Sequence, residues 1–354
     1  MIRNPNRLMK KKDEKRQLRR PADRISSLPD DVLCRILSFV LTQEVVATSV
    51  LSKRWTHLWR YIDNINFKYI EVDSIESYSK FNNSVKSVLI SRDAAGSGSH
   101  SINCFSLDIE YSNPHLAYHL SFPNVVEWIN IVVQHRLKHL CLHLHVVDFI
   151  DRVYLANDDY DVDNVDVAGG DVVDNHRLPK LPISIFTCKT LVSLDLYRFS
   201  VKGFFSSSIW FGFPSLKTLW LSDIHFVQDR DFILLLLGCP VLEDLELFRI
   251  KLHYDEEDSL AIQQFKSLSL PKLIRADITQ CVCYYFRLKL LSTSESLCLD
   301  IFKLYTKNNK VYQVCFIMNA MHATSIYVAQ ITNTCCWYGI LDIDHLITLL
   351  VSTC

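Results

Sequence analysis

The chain has 354 residues, 49% of them hydrophobic, with 38 Lys+Arg against 39 Asp+Glu and a formal net charge of -1. That length holds one long solenoid or two ordinary domains, with apolar content for a sizeable core. Glycine is scarce, 8 residues or about 2% where about 7% is usual. No set of glycines spells G-x-G-x-x-G or G-x-x-x-x-G-K-[ST], which argues against a phosphate cradle built from backbone N–H groups. No run of about 18 apolar residues is present to span a bilayer, and the N-terminus lacks the apolar region of a secretory signal. The 12 Cys are scattered through apolar runs (Cys34, Cys104, Cys188, Cys239) instead of forming a spaced framework. A reduced protein of the nucleus and/or cytoplasm, with no membrane partner, is expected.

The near-zero charge averages two opposed blocks. Residues 1–20 hold nine basic side chains, from Arg3 to Arg20, against Asp13 and Glu14. This segment, 1–22, reads as a basic disordered tail, and a nuclear-import signal or a nucleic-acid tether fits the same residues. Residues 148–174 hold nine Asp against Arg152 alone and read as a solvated acidic insertion. Asp159-Tyr-Asp161-Val-Asp163 inside it lacks the glycine and terminal glutamate of a calcium loop.

Between them, residues 23–61 form a short helical module. Pro29 suits a first helical position, and Asp30 and Asp31 follow where the helix dipole favours negative charge. Val32, Leu33, Ile36, Leu37 and Val40 then repeat at helical spacing as one apolar stripe. A second helix is expected from 43 to 50, and a third from 53 to 61, capped by Ser52 and carrying Trp55, Leu58 and Trp59. About 40 residues cannot bury this much Leu, Ile and Trp internally. The stripe therefore packs on the rest of the chain or docks into a partner's groove.

Asp23-Arg-Ile-Ser-Ser-Leu-Pro-Asp-Asp-Val-Leu, followed by Val46-Ala-Thr-Ser-Val-Leu-Ser-Lys-Arg-Trp55 and Leu58-Trp59, resembles the F-box of plant F-box/leucine-rich-repeat proteins. One departure is Leu41-Thr42-Gln43, where the family commonly has a Pro-Thr-Lys/Arg turn. The resemblance implies docking onto the small adaptor that joins F-box proteins to a cullin–RING ubiquitin ligase, an SCF complex. Carried over by position, the adaptor-binding set is Leu28, Pro29, Leu33, Ile36, Leu37, Val50 and Trp55.

Residues 62–103 read as a linker and the start of a solenoid, and 104–354 as its body. The pattern Leu-x-x-Leu-x-Leu recurs at Leu137/Leu140/Leu142, Leu191/Leu194/Leu196, Leu216/Leu219/Leu221 and Leu242/Leu245/Leu247. Degenerate copies follow at Leu273/Ala276/Ile278, Ser294/Leu297/Leu299 and Ala323/Ile326/Val328, and Phe105/Leu107/Ile109 is a candidate opening strand. From 191 onward the spacing is roughly 20–30 residues, close to the leucine-rich-repeat range. The first gap is about twice as long and contains the acidic block. Each triplet is a short strand with alternate residues inward, and the rest of each unit returns the chain, as a helix over 229–237. No unit can bury its own apolar face, so the units must stack. The fold class is thus α/β: a three-helix F-box, then a leucine-rich-repeat solenoid of parallel strands with helical or irregular returns. Fragments such as Gly238-Cys-Pro-Val-Leu242 again resemble the plant family. Residues 345–354 look like the helix before Cys239-Pro240, so the array is expected to end mid-repeat, as a truncation, without the further C-terminal domain of many relatives.

The outward positions of successive strands line one surface of a solenoid. They include Asp195, Tyr197, Trp220, Asp244, Glu246, Phe248 and Asp277, a mixture of acids and aromatic anchors suited to a protein substrate with a basic surface. His139-Leu-Cys141-Leu-His143-Leu-His145 places four residues of metal-ligand type on one strand face. Residues i and i+4 of a strand lie roughly 13 Å apart, so the run alone cannot chelate with all four, and two ligands are too few for a structural zinc site. Alternation with Leu explains the run, and no metal or other cofactor is expected.

No nucleophile–base pair stands out, so the expected role is non-catalytic. The resemblance implies a substrate-recognition subunit of an SCF ubiquitin ligase, holding the adaptor and through it a cullin. The repeats would hold an unidentified protein substrate for enzymes supplied in trans. The alternative is a ligase-independent leucine-rich-repeat scaffold, tethered to nucleic acid through the basic tail, although nucleic acid is the disfavoured partner.

Overall fold

The computed structural model describes residues 24–93, 101–146, 178–201, 212–252, 269–279, 296–305, 311–319, 326–332 and 335–341. The basic tail, the acidic block and the helix expected over 345–354 lie outside the described residues.

The first helix, α1, spans Asp30–Leu37 with Asp30 and Asp31 in its first turn. Pro29 is its N-cap, one position earlier than expected, and its carbonyl accepts the first helical bond, from Leu33 N at 3.1 Å. α2 spans Thr42–Ala47 and runs into a 3-10 turn over Thr48–Val50. At the 41–43 corner Leu41 takes φ -62°, the value that proline would impose, so the familiar turn forms without its proline. Thr42 is buried there, and its Oγ1 accepts a bond from Asn66 N at 2.7 Å. The expected third helix is instead a series of turns ending in a 3-10 helix, Leu58–Tyr61. Thr56 Oγ1 donates back to the Ser52 and Ser49 carbonyls, and Trp55 N and Leu58 N bond three residues back, the tighter 3-10 spacing.

The apolar stripe of α1 splits in two. Leu33 and Leu37 are buried with Val45, Leu58 and Ile62 in a small core, against which Leu28, Val40, Trp55 and Trp59 pack. Val32 and Ile36 face outward.

The repeat array begins earlier than the Leu pattern suggests. β1 (Asn64–Val72) pairs in parallel with β2 (Cys104–Tyr111), so the Phe105/Leu107/Ile109 strand is the second of the stack. Between them runs α3 (Ile75–Asp93), whose Tyr78, Phe81, Val85, Val88 and Leu89 are buried. The return from β2 passes through a π-helical turn, Leu116–Ser121, into α4 (Phe122–Val132). Phe81 of α3 meets Phe67 of β1 and Trp128 of α4 edge-on, at ring separations of 5.9 and 5.6 Å.

β3 (His139–Val146), β4 (Ser193–Tyr197), β6 (Thr218–Ser222), β8 (Asp244–Phe248), β10 (Arg275–Thr279) and β11 (Ser296–Tyr305) continue the parallel stack. β3 pairs directly with β4, so the long gap containing the acidic block inserts no strand between them in this sheet. The register stacks like on like: Leu140, Leu194, Leu219, Leu245 and Ala276 form one buried row, and Leu142, Leu196, Leu221, Leu247 and Ile278 the next. Each fully buried Leu contributes roughly 1.5–3 kcal/mol relative to exposure.

Two backbone devices mark the repeat. The amides at the start of a unit bond the carbonyl before the preceding strand: Asn103 and Cys104 to Asp63, Lys138 and His139 to Asn103, Lys217 and Thr218 to Val192, Ile274 and Arg275 to Glu243. After the strands, Arg198, Asp223 and Arg249 adopt left-handed φ of 64°, 53° and 49°. This turn sends the chain into β5 (Ser200–Val201), β7 (His225–Phe226) and β9 (Lys251–Leu252), a second parallel sheet. Phe199, Ile224 and Ile250, one residue past each turn, are buried. The return helix α5 spans Asp229–Leu237, as the sequence predicts.

From β11 the topology changes. β12 (Val311–Asn319), β13 (Ile326–Thr332) and β14 (Cys335–Leu341) pair antiparallel in sequence. The Ile326/Val328 strand is therefore not the next parallel repeat. Short connections let neighbouring strands reverse, whereas a parallel pair needs a crossover of a dozen or more residues.

Candidate functional site

Two surfaces come out of this framework. The first is on the F-box, and Arg54 organises it. Its guanidinium donates to the Ser26 carbonyl at 2.7 Å and to the Leu28 carbonyl, and its Nε reaches Asp30 Oδ1 at 2.7 Å. The same cation forms an ion pair with Asp30 at 2.6 Å. One side chain thus ties the segment before α1, the first turn of α1 and the Lys-Arg-Trp turn together. Pro29 is consequently held exposed at the mouth of α1, with Leu28 half-buried behind it.

The expected adaptor-binding residues divide by exposure. Pro29, Ile36 (48% exposed) and Val50 (84%) are presented to solvent, and Leu28 and Trp55 are partly so. Leu33 and Leu37 are interior and support the surface from beneath. Exposed apolar side chains outside that set include Val32, Phe39 (77%) and Leu51 (65%), with Ile25 and Tyr61. Val32 and Ile36 share one face of α1 at i and i+4, merged in the sequence with the inward Leu33/Leu37 stripe, and Phe39 stands in the turn just after the helix.

The second surface is the outward face of the parallel strands. Register alignment produces a middle row of Cys141, Asp195, Trp220, Glu246 and Asp277. Beside it runs a row of His143, Tyr197, Ser222, Phe248 and Thr279. All seven expected substrate-facing residues stand in these rows or, for Asp244, in the adjoining one. Asp244 is held by the Arg275 guanidinium, whose Nε lies 2.9 Å from Asp244 Oδ1. Partial burial, and then the nearby Asp277, Asp195 and Asp244 carboxylates, raise the Glu246 carboxyl above its ordinary value.

At the β2–β4 end the face changes character. His143 Nε2 lies 2.8 Å from Asp195 Oδ1, Cys141 Sγ lies 3.4 Å from Asp195 Oδ2, and Sγ and Nε2 are 3.7 Å apart. Next to them His145 Nε2 is 3.3 Å from Asp108 Oδ1. The hydrogen bond to Asp195 raises the His143 pKa, while burial lowers that of His145. Burial, with Asp195 beside it, pushes the Cys141 thiol up. The cluster is thus not an activated Cys–His nucleophile: the carboxylate touches the thiol that it would have to leave ionised, and bonds the imidazole nitrogen that faces the sulfur. The sequence run showed only the β3 members. Asp195 occupies the Cys141 position of the next unit, and aligning the Leu triplets pairs them, but the doubled gap hid that they are neighbours.

Comparison with known proteins agrees with this architecture. The F-box domain family matches residues 25–66, and the leucine-rich repeats of the FBD-associated F-box protein At5g56370 match residues 162–284. The Arabidopsis thaliana F-box/FBD/LRR-repeat protein At1g78750 is 31% identical over 233 residues, 65% of this chain and 43% of the relative. The F-box/LRR-repeat protein At4g14103 of the same plant is 30% identical over 254 residues, 72% of this chain and 54% of the relative. The FBD-associated F-box protein At4g13985, also from Arabidopsis thaliana, is 28% identical over 247 residues, 70% of this chain and 46% of the relative. The chain spans about half the length of the curated relatives it matches. With an F-box at 25–66, a stack of leucine-rich strands behind it and such relatives, the chain belongs to the plant F-box/leucine-rich-repeat family.

Proposed function

We propose that this protein is a substrate-recognition subunit of an SCF-type cullin–RING ubiquitin ligase, acting in the nucleus and/or cytoplasm. In this reading the F-box binds the ligase's small adaptor, and the outward strand face holds a protein substrate with a basic surface. The observation that carries it is the exposed apolar surface formed by Val32 and Ile36 of α1 and Phe39 of the turn after it, beside Pro29, while the F-box closes its own core with Leu33 and Leu37. An exposed apolar helix face of this kind suits a partner's groove. The protein's own part is positioning, which raises the effective concentration of substrate at a ubiquitin-loaded enzyme supplied by other subunits. Asp195, Glu246 and Asp277, interleaved with Trp220, Tyr197 and Phe248, favour a cationic partner with apolar contacts.

The test is co-purification of the full chain with the adaptor and cullin, for the wild type and for a Leu28→Ala/Pro29→Ala double variant. Loss of both partners with the repeat array still folded is the expected result. Undiminished co-purification of the double variant overturns the docking assignment.

A further inference from the structure

At its β2–β4 end the outward face gathers a group of metal-ligand side chains that shares Asp195 with the acidic docking row. Cys141 and His143 stand two residues apart on β3, and Asp195 reaches across from β4, with their ligand atoms within 4.8 Å of one another. All three are partly buried, so each is held in place yet open to solvent on one side. We propose that Cys141, His143 and Asp195 bind a zinc ion through one thiolate, one imidazole and one carboxylate, leaving a fourth position open toward the strand face.

Distances support this. Zinc bonds of about 2.3 Å to sulfur and about 2.0–2.1 Å to nitrogen or oxygen, at a tetrahedral angle, separate the ligand atoms by about 3.3–3.6 Å. Cys141 Sγ lies 3.7 Å from His143 Nε2 and 3.4 Å from Asp195 Oδ2, whereas Nε2 is nearest the other carboxylate oxygen, Oδ1. The Nε2–Oδ1 pair at 2.8 Å needs to open by about half an ångström to admit the ion between its members. A donor set mixing sulfur, nitrogen and oxygen suits zinc, not magnesium or calcium, which favour oxygen throughout. Binding releases the thiol proton to solvent, and the proton that Nε2 donates to Asp195 leaves that nitrogen, to solvent from an imidazolium or by a shift to Nδ1 in the neutral ring, so that two metal bonds replace the His143–Asp195 hydrogen bond. The Asp108–His145 pair stands beside His143, with ligand atoms within 4.8 Å of its own. Three protein ligands with one open position is the arrangement of zinc sites that engage another molecule, whereas structural sites are closed with four. The proposal concerns the metal alone and stands or falls independently of ubiquitin-ligase assembly.

The test uses the full chain, stripped of metal under reducing conditions and titrated with zinc against a chromophoric chelator, and separately with cobalt. One high-affinity equivalent per chain is expected, with a sulfur-to-cobalt charge-transfer band in the near ultraviolet. Cys141→Ser should abolish that band, and His143→Gln and Asp195→Asn should each weaken zinc binding by at least about tenfold. His139→Gln, on the same strand face but outside the cluster, should bind as the wild type does. Far-UV circular dichroism of each variant separates loss of the site from loss of the fold, and Asp195→Asn keeps volume and backbone so that one ligand-deficient variant remains folded. Absence of a bound equivalent in the wild type overturns the proposal. So does an equivalent that survives Cys141→Ser and His143→Gln with an unchanged cobalt spectrum, because it then resides on other cysteines.

Discussion

Replacing Arg54 by Met keeps the aliphatic stem and deletes the guanidinium that holds the F-box mouth. The ion pair with Asp30 is solvent-exposed, with side chains 35% and 63% accessible, so it contributes about 0.2–1 kcal/mol. The bonds to the Ser26 and Leu28 carbonyls contribute about 0.5 kcal/mol each at the low end of the usual range, since both carbonyls can be rehydrated. The sum is about 1–2 kcal/mol, spent on pinning the segment that carries Leu28 and Pro29. Loss of that pinning means the adaptor must order the segment itself, and about 1.4 kcal/mol corresponds to tenfold in Kd. Titration of the adaptor into the full chain should therefore show Arg54→Met binding about tenfold more weakly than the wild type. Asp30→Asn, which removes only the ion pair, should lose no more than about fivefold. The main thermal transition should be unmoved, because the large core of the repeat array does not include Arg54. A Kd for Arg54→Met within about twofold of the wild type would show that this clamp does not preorganise the docking face.

The two sides of α1 should respond differently. Leu33→Ala removes a side chain with no exposure and should cost about 2–5 kcal/mol, seen as lost amide-exchange protection over residues 24–62. Ile36→Ala should leave that protection unchanged while weakening adaptor binding, and equal loss from both would refute the division into core and docking faces. Gly238→Ala should lower the urea midpoint, at a cost of about 1–3 kcal/mol. A Cβ there would lie 3.0 Å from Gly212 Cα and 3.3 Å from the Leu234 and Leu235 carbonyls, and Phe213 N bonds the Gly238 carbonyl at 2.7 Å. A neutral midpoint would show that this close main-chain approach relaxes freely. Glu246 has its pKa raised by partial burial and then by its acidic neighbours, so its folded value exceeds its unfolded one. Such a group favours folding below its unfolded pKa and loses that contribution as pH rises through the folded pKa. Glu246→Gln should therefore stabilise the chain at neutral pH and not at acidic pH, and a pH-independent effect in urea unfolding would contradict the sign.

Much of the architecture is legible in the residues because it is periodic. Alternation in Leu194/Leu196, Leu219/Leu221 and Leu245/Leu247 specifies strands, and their spacing specifies stacking, since no single unit buries its own face. Asp229–Leu237 is readable for the same reason. The strand β1 and helix α3 carry aromatic and β-branched residues in place of the Leu signature, so a search for Leu-x-x-Leu-x-Leu passes over them, although Tyr78, Phe81, Val85, Val88 and Leu89 keep helical spacing. The turn from parallel to antiparallel pairing after β11 depends on which connection is long enough to cross over, and that does not appear in a strand's own pattern.

By itself the sequence determined the order of parts: a helical F-box module, then leucine-rich strands, with a mixed acidic and aromatic outward face. Periodicity and local capping are short-range properties, and the chain carries them residue by residue. Only the tertiary structure decided which apolar residues of α1 face inward, that Arg54 closes the mouth of the F-box, and that Asp195 meets Cys141 and His143. Those depend on contacts between residues far apart in the chain, 52 to 54 positions in the last case, and only strand register brings them within bonding distance.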